Sequence, residues 1–182
     1  MNPVRLLPLC LSALACSQTG VTAREAGERA DSADQILFRM STQLTENGVL
    51  RSFVEADTAY IYQNQQFTDF RGLRIRFLDN QGNQQSTLTS RTGVYHNLTG
   101  KLDARGSVMV QTTDGRRLQT AHLVYDKTSN RVESDSSFTY ESPTESGGGS
   151  SFNSDIEFRN LSITRPKGFQ KGKGILLPRP GQ

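Results

Sequence analysis

The sequence predicts an all-β domain on the strength of three observations. Apolar and polar residues alternate with a period of two through much of the chain, which is typical of half-buried strands. A similar stretch recurs at spacings of 33 and 30 residues, from Tyr62 to Tyr95 to Tyr125. No helical periodicity separates these stretches. Regular strand spacing of this kind suits a sandwich, a roll or a solenoid, in which each repeat buries its apolar face against its neighbours.

The composition fits a single domain with a modest core and flanking tails. The chain has 182 residues, of which 34% are hydrophobic, and a formal net charge of +3. Basic and acidic residues are interspersed, so no basic stripe indicates nucleic-acid binding. Both cysteines, Cys10 and Cys16, lie near the N-terminus, so the rest of the chain must fold without disulfides.

Residues 1–16 are predicted to be a signal segment of the lipoprotein type. Arg5 precedes an apolar run over residues 6–14, about half of the ~20 residues needed to span a bilayer. Small residues then lead to Cys16, where lipidation is one outcome, and ordinary signal cleavage or a retained short anchor are the others. Residues 17–33 are polar and are predicted to be a flexible spacer.

The folded domain is predicted to span residues 34–166. It begins with a hairpin whose turn is Asn47-Gly48, since Asn and Gly tolerate the positive φ angles of tight turns. The glycine-rich residues 145–151 are predicted to be a loop between the last two strands. Residues 167–182 are predicted to be a basic, disordered tail. That tail either keeps the chain soluble or contacts anionic headgroups and phosphates through Lys167, Lys171, Lys173 and Arg179.

The repeats place a set of apolar residues on one predicted face. Residues at i and i+2 of a strand share a face, so the residue two places before each repeated aromatic joins the set. A fourth copy of the repeat ends at Phe158, and a second strand in each unit adds further positions. The predicted interior residues are Tyr60, Tyr62, Leu73, Ile75, Tyr95, Val108, Val110, Leu123, Tyr125, Phe138, Ile156 and Phe158. They form either an ordinary core or the wall of an open apolar groove, and periodicity alone does not choose.

No catalytic constellation is predicted. The sequence contains neither a Gly-x-Ser-x-Gly elbow nor a His-Glu-x-x-His motif. The two histidines, His96 and His122, lack the neighbours of a metal site and are predicted to be solvated strand residues that point away from the tyrosine face. We therefore expect no enzymatic activity, no cofactor and no metal ion.

The chain contains three tandem stretches, "ADTAYIY", "RTGVYHNLTGKLDARGSVMV" and "TAHLVYDKTSNRVESD". In these stretches it resembles the LptC/LptA-type proteins of lipopolysaccharide transport, the OstA-like domain family. The likeness is carried by "L-x-x-x-G-x-V-x-V" over residues 102–110, a "DG-x-x-L-x-T" turn and strand over residues 114–120, and "L-x-Y-D" leading to "V-x-S-D". It covers residues 34–165, and the order and spacing of the pieces are its specific part.

This resemblance implies an open, curved antiparallel β-jelly-roll that holds the acyl chains of lipopolysaccharide in its apolar interior. It implies a non-enzymatic segment of an envelope bridge, which takes lipid from an inner-membrane ABC transporter complex. The segment would pass the lipid to an LptA-like periplasmic protein, joining its partners through edge strands.

One feature departs from the resemblance. LptC-like proteins have a transmembrane helix at the N-terminus, whereas this chain has a shorter signal that leads to Cys16. The expected location is the periplasm, with an N-terminal anchor in the inner membrane. The alternatives are a soluble LptA-like bridge protein, a β-repeat docking scaffold without its own lipid site, and an exported enzyme acting on envelope glycans or lipid.

Overall fold

The computed structural model describes residues 32–171, and within them one antiparallel sheet of twelve strands forms. The all-β prediction is therefore confirmed. The signal segment, nearly all of the spacer and residues 172–182 of the predicted tail lie outside the described residues. The strands are β1 (Gln35–Glu46), β2 (Val49–Tyr62), β3 (Phe67–Leu78), β4 (Gln84–His96), β5 (Lys101–Thr112), β6 (Arg117–Asp126), β7 (Arg131–Ser134), β8 (Phe138–Glu141), β9 (Glu145–Gly149), β10 (Ser151–Asp155), β11 (Ser162–Thr164) and β12 (Lys167–Lys171).

The sheet begins as a meander and then divides into two arms. Strands β1 to β6 pair in chain order through short turns, and the first turn contains Asn47 (φ 50°) and Gly48 (φ 78°), as predicted. The first half of β6 pairs with β8, whereas its second half pairs with β7. One arm continues from β8 to β9 and β12, and the other from β7 to β10 and β11.

A line of bends crosses the long strands near their middles. In β1 the bend lies at Arg39 (φ 50°), in β3 at Gly72 (φ 63°), and in β5 at Gly106 (φ 75°) and Ser107 (φ 51°). At Gly72 an added Cβ would overlap the carboxylate of Asp57 on β2, so a larger residue would have to displace that side chain as well as adopt a positive φ. Because the bends lie on alternate strands and in register with one another, the sheet folds along this line into two facing layers, as a jelly-roll requires.

We call these layers upper and lower. The upper layer holds β8, β9 and β12 with the halves of β1 to β6 that lead to the turns at residues 47–48, 79–83 and 113–116. The lower layer holds β7, β10 and β11 with the other halves, which lead to the turns at residues 63–66, 97–100 and 127–130. The core lies between the layers and includes the fully buried side chains of Leu88, Val110, Leu118, Leu123 and Val132.

Two predictions for the last third of the chain are wrong. The glycine-rich stretch is not a loop, since it contains β9 and then crosses to the lower layer to begin β10. A Cβ on Gly149 would lie 2.7 Å from Ile163 Cγ2 and 2.9 Å from Phe138 Cε1, so glycine allows the close approach at this crossing. The predicted tail also starts too early, because Lys167–Lys171 forms β12 and pairs with β9.

The alignment of the first repeat is wrong by one residue. The three lower-layer turns each contain four residues, so Tyr62, His96 and Asp126, which directly precede them, are equivalent. The structural counterpart of Tyr95 in β2 is therefore Ile61. In a strand, a shift of one residue exchanges the two faces, and the sequence alignment had placed the tyrosine on the wrong one.

Candidate functional site

An open groove of about 480 Å³ lies between the two layers on the side of β1. This volume falls within the range of about 300–1,000 Å³ that is usual for small-molecule sites. Its wall is mainly apolar, with hydroxyl groups from a few threonine, serine and tyrosine side chains, three amide side chains and four charged ones. The apolar residues are Met40 and Leu44 from β1, Val54 and Ile61 from β2, Phe70, Ile75, Phe77 and Leu78 from β3, Leu102 from β5, and Ile156.

Aromatic side chains close the other end of the roll. Phe77 and Tyr125 meet across the layers with their ring centroids 5.0 Å apart, in an edge-on arrangement. Farther from β1, the rings of Phe138 and Phe152 lie 4.9 Å apart and join β8 to β10. Offset and edge-on aromatic pairs of this kind fill space densely and hold facing elements together. The interior is therefore a packed core at this end and a groove only on the β1 side.

A strap formed by residues 156–160 follows β10 and contributes Ile156 and Glu157 to the groove wall. The Arg116 guanidinium donates to the Glu157 carbonyl oxygen at 3.0 Å, and this bond ties the strap to an upper-layer turn. Ile156 and Phe158 are 2% and 3% exposed, so their predicted burial is correct. Their predicted position on a strand is wrong, since β10 ends before them.

The predicted interior residues divide into three groups. Four of them line the groove: Ile75, Tyr95, Tyr125 and Ile156. Six are buried in the adjoining core: Leu73, Val108, Val110, Leu123, Phe138 and Phe158. The alternation left two interpretations open, a core and a groove wall. Both are present, in different parts of the same set of predicted interior residues.

The third group, Tyr60 and Tyr62, lies on the face of β2 opposite to the groove residue Ile61, contrary to the prediction, although Tyr62 is buried, with 5% of its surface exposed. The Tyr60 ring faces the Arg71 guanidinium at 5.9 Å, and the Tyr62 ring stacks on Phe67 with centroids 4.4 Å apart. Between them, Ile61 points into the groove, where it faces the same interior as Phe70. Sequence reasoning missed both residues, although the equal length of the turns could have revealed the correct alignment.

Tyr125 is the most perturbed titratable group of the groove. Burial raises its pKa to about 12, and the negative charge of Glu46 adds to the effect. Its hydroxyl donates to Asn130 Oδ1 at 3.2 Å. The phenol therefore stays protonated at neutral pH and presents a neutral hydroxyl at the mouth.

Strand β1 is a free edge of the sheet next to the groove. Among the described residues it pairs with β2 alone, and its first half exposes three apolar side chains: Ile36, Leu37 and Phe38, the last of which is 74% exposed. A long apolar edge strand is normally an aggregation liability, because its unpaired backbone groups can accept a further strand. The edge is therefore suited to strand addition by another protein.

The two histidines differ in their surroundings. His96 is exposed, as predicted, whereas the side chain of His122 is only 17% exposed and lies on the outer face between two carboxylates. Its Nε2 lies 3.2 Å from Asp103 Oδ1 and its Nδ1 lies 3.1 Å from Asp135 Oδ1. The hydrogen bond to His122 lowers the pKa of Asp135. This cluster is remote from the groove.

Two further searches concern the described part of the chain only. Between residues 32 and 171, no group of three or more His, Cys, Asp and Glu side chains is arranged to hold a metal ion. The same residues contain no helix with the length and apolar character needed to cross a membrane.

Comparison with known proteins gives one family and a related fold. Residues 7–160 match the family described as lipopolysaccharide-assembly, LptC-related. No curated protein matches the sequence. The fold is similar to the crystal structure of LptH, the LptA homologous periplasmic component of the conserved lipopolysaccharide transport device from Pseudomonas aeruginosa. The TM-score is 0.50 at 16% identity, over 71% of this chain and 90% of that chain. At this identity the likeness concerns the fold alone.

Proposed function

The chain belongs to the LptC-related lipopolysaccharide-assembly family, and on that premise we propose that it is a non-enzymatic carrier of lipopolysaccharide acyl chains in the periplasm. The observation that supports this most directly is the apolar groove of about 480 Å³ that remains open between the layers. A fully packed roll would offer no place for an acyl chain.

The chemistry of the groove suits an acyl chain that must enter and leave. Each methylene group moved from water to an apolar wall contributes about 0.8 kcal/mol, so a chain of ordinary length gains binding energy without any charged contact. The groove is open along the mouth of the roll, so a chain can enter sideways while the sheet stays intact. Its closed end, formed by the strap and the Phe77–Tyr125 contact, limits how far the chain extends.

The free edge supports a place in a bridge. Strand β1 lines the groove, and no strand within residues 32–171 pairs with its other side. A second roll that adds a strand to β1 would place its own interior next to this groove. We propose that the protein takes lipid from an inner-membrane ABC transporter complex and passes it to an LptA-like protein through such a junction.

Site-specific photo-crosslinking tests the groove. A crosslinker at Ile61, whose side chain lines the groove, should capture lipopolysaccharide in cells. The same group at Tyr60, the preceding residue on the outer face, is the matched control and should not. Capture at Tyr60 but not at Ile61 would refute the groove assignment.

The N-terminal anchor needs a separate experiment. We propose that Cys16 is lipidated and holds the domain at the inner membrane. Labelling with radioactive palmitate should mark the wild-type protein and not Cys16→Ala. An unlabelled wild-type protein released with the soluble periplasm would support the LptA-like alternative.

A further inference from the structure

We propose that Lys127 selects amphiphiles whose acyl chain carries an anionic group, a phosphate or a carboxylate, by holding that group at the mouth of the groove. This inference rests on the proposed function, because it names the class of ligand that the same groove prefers. It concerns a residue that none of the sequence patterns singled out.

The position of Lys127 follows from two adjacent turns of the lower layer. The residue directly follows β6, and its backbone N–H donates to the Gly100 carbonyl oxygen at 3.1 Å. The two turns lie side by side, since a Cβ on Gly100 would be in van der Waals contact with Lys127 Cβ, at 3.7 Å. The Lys127 side chain is half-buried and lines the groove.

The other charged residues that line the groove have partners. The Arg51 guanidinium lies 3.6 Å from the Glu46 carboxylate and also contacts Asn80. The Glu157 carboxylate lies 3.9 Å from the Arg159 guanidinium. Within residues 32–171, Lys127 makes no ion pair, so its ammonium is the one charged group of the groove wall without a directly paired partner.

The nearest acidic side chain along the sequence is already engaged. The Asp126 carboxylate accepts hydrogen bonds from the backbone N–H groups of Thr128 at 2.9 Å and Ser129 at 3.3 Å. These bonds shape the turn and direct the carboxylate to the backbone. Lys127 therefore remains available to an anion from outside.

Neighbouring donors on the same lip favour an anion. Because Asn130 Oδ1 accepts from the Tyr125 hydroxyl, the Asn130 amide N–H groups remain free to donate. An ammonium and an amide beside an apolar wall can hold a charged oxygen while the attached chain lies along the groove. Hydrogen bonds with an ionised partner are about twice as strong as neutral ones, which gives the selection its strength.

The test compares three amphiphiles with the same alkyl chain: dodecyl phosphate, dodecanoate and the uncharged dodecyl maltoside. Each is titrated below its micelle concentration into the wild-type protein, Lys127→Gln, Lys127→Arg and Lys101→Gln. Lys101 is the matched control because it is an exposed lysine at the start of β5, beside the same turns but not in the groove wall.

Lys127→Gln should weaken binding of the two anionic amphiphiles about tenfold, which corresponds to about 1.4 kcal/mol, and leave dodecyl maltoside unchanged. Lys127→Arg should restore most of the loss, and Lys101→Gln should bind as the wild type does. A larger loss for the phosphate than for the carboxylate would identify a phosphorylated lipid as the preferred source of the anion.

Four outcomes would overturn the inference. An equal loss for all three amphiphiles in Lys127→Gln would mean that the lysine only maintains the groove. Competition by inorganic phosphate as strong as that of dodecyl phosphate would mean a phosphate site that is independent of the chain. If the wild type binds the neutral amphiphile as tightly as the anionic ones, the selection is absent while the proposed function stands. If the wild type binds none of the amphiphiles, the selection and the proposed function both fail.

Discussion

The substitution Gly93→Ala tests how tightly the two layers are packed next to the groove. Gly93 lies on β4 and faces the interior between Leu73 and Leu102. A Cβ added there would lie 2.5 Å from Leu73 Cδ2 and 3.4 Å from Leu102 Cδ1. Leu73, the leucine that the new methyl group would meet, is 2% exposed and belongs to the packed core, so it has little space to withdraw into.

Two opposing effects set the magnitude. Replacing glycine by alanine restricts the unfolded chain and would stabilise the fold by about 0.4–1 kcal/mol if the site had room. Overpacking a full core costs about 1–3 kcal/mol. The atom in the way is the end of a leucine side chain, which can turn, so the cost falls in the middle of that range. We expect a net decrease of about 1–2 kcal/mol in the free energy of unfolding.

Urea denaturation of a double-mutant cycle measures this coupling. Leu73→Ala alone should cost about 2–5 kcal/mol, since it leaves a cavity. In the double variant the new methyl group occupies part of that cavity, so the combined loss should be smaller than the sum by at least about 0.5 kcal/mol. A Gly93→Ala protein as stable as the wild type, or strictly additive losses, would refute the packing described for this region.

Three other predictions concern the bends, the mouth and the edge. Gly82→Ala should lower the free energy of unfolding by about 1–2 kcal/mol because of its positive φ alone. Gly72→Ala should lower it by about 1–3 kcal/mol more, because its methyl group also meets Asp57. Equal losses of stability for the two variants on denaturation would contradict this. Folding raises the pKa of Tyr125 from 10.0 to about 12, so the folded protein retains the phenol proton more strongly than the unfolded chain does. The contribution of Tyr125 to stability is therefore intact below pH 10 and is lost as the pH rises towards 12. Tyr125→Phe should flatten this part of the stability–pH curve, and an unchanged slope would exclude Tyr125 as its source. Phe38→Lys should change the free energy of unfolding by no more than about 0.5 kcal/mol, since the side chain is 74% exposed, but should weaken association with an LptA-like partner in light-scattering or pull-down assays. Unimpaired association would exclude this part of β1 as the docking edge.

Local sequence patterns predicted strands and turns well where residues close together in the sequence determine them. The first hairpin follows from Asn47-Gly48, whose positive φ angles select the turn without help from the rest of the chain. Alternation also predicted the burial of Leu73, Val110 and Leu123, because a strand in a two-layered sheet must turn one face inward.

Predictions that depended on distant contacts were less successful. The glycines at 147–149 were predicted to form a loop. In the structure they allow β9 and the crossing to β10 to pack closely against Phe138. Nothing near Lys167 in sequence indicates a strand, because β12 exists only through its pairing with β9. Such pairings bring together residues that are far apart along the chain, and no local propensity contains them.

The sequence by itself determined that this is an all-β chain of repeated hairpins with one apolar face and little catalytic chemistry. It also carried the order of motifs that marks the LptC-related family. Only the tertiary structure decided that Ile61 and not Tyr60 faces the interior, and that the stripe is a core at one end and a groove at the other. The physical reason is that alternation specifies which residues share a face, whereas register, the line of bends and the gap between layers arise from contacts across the sheet.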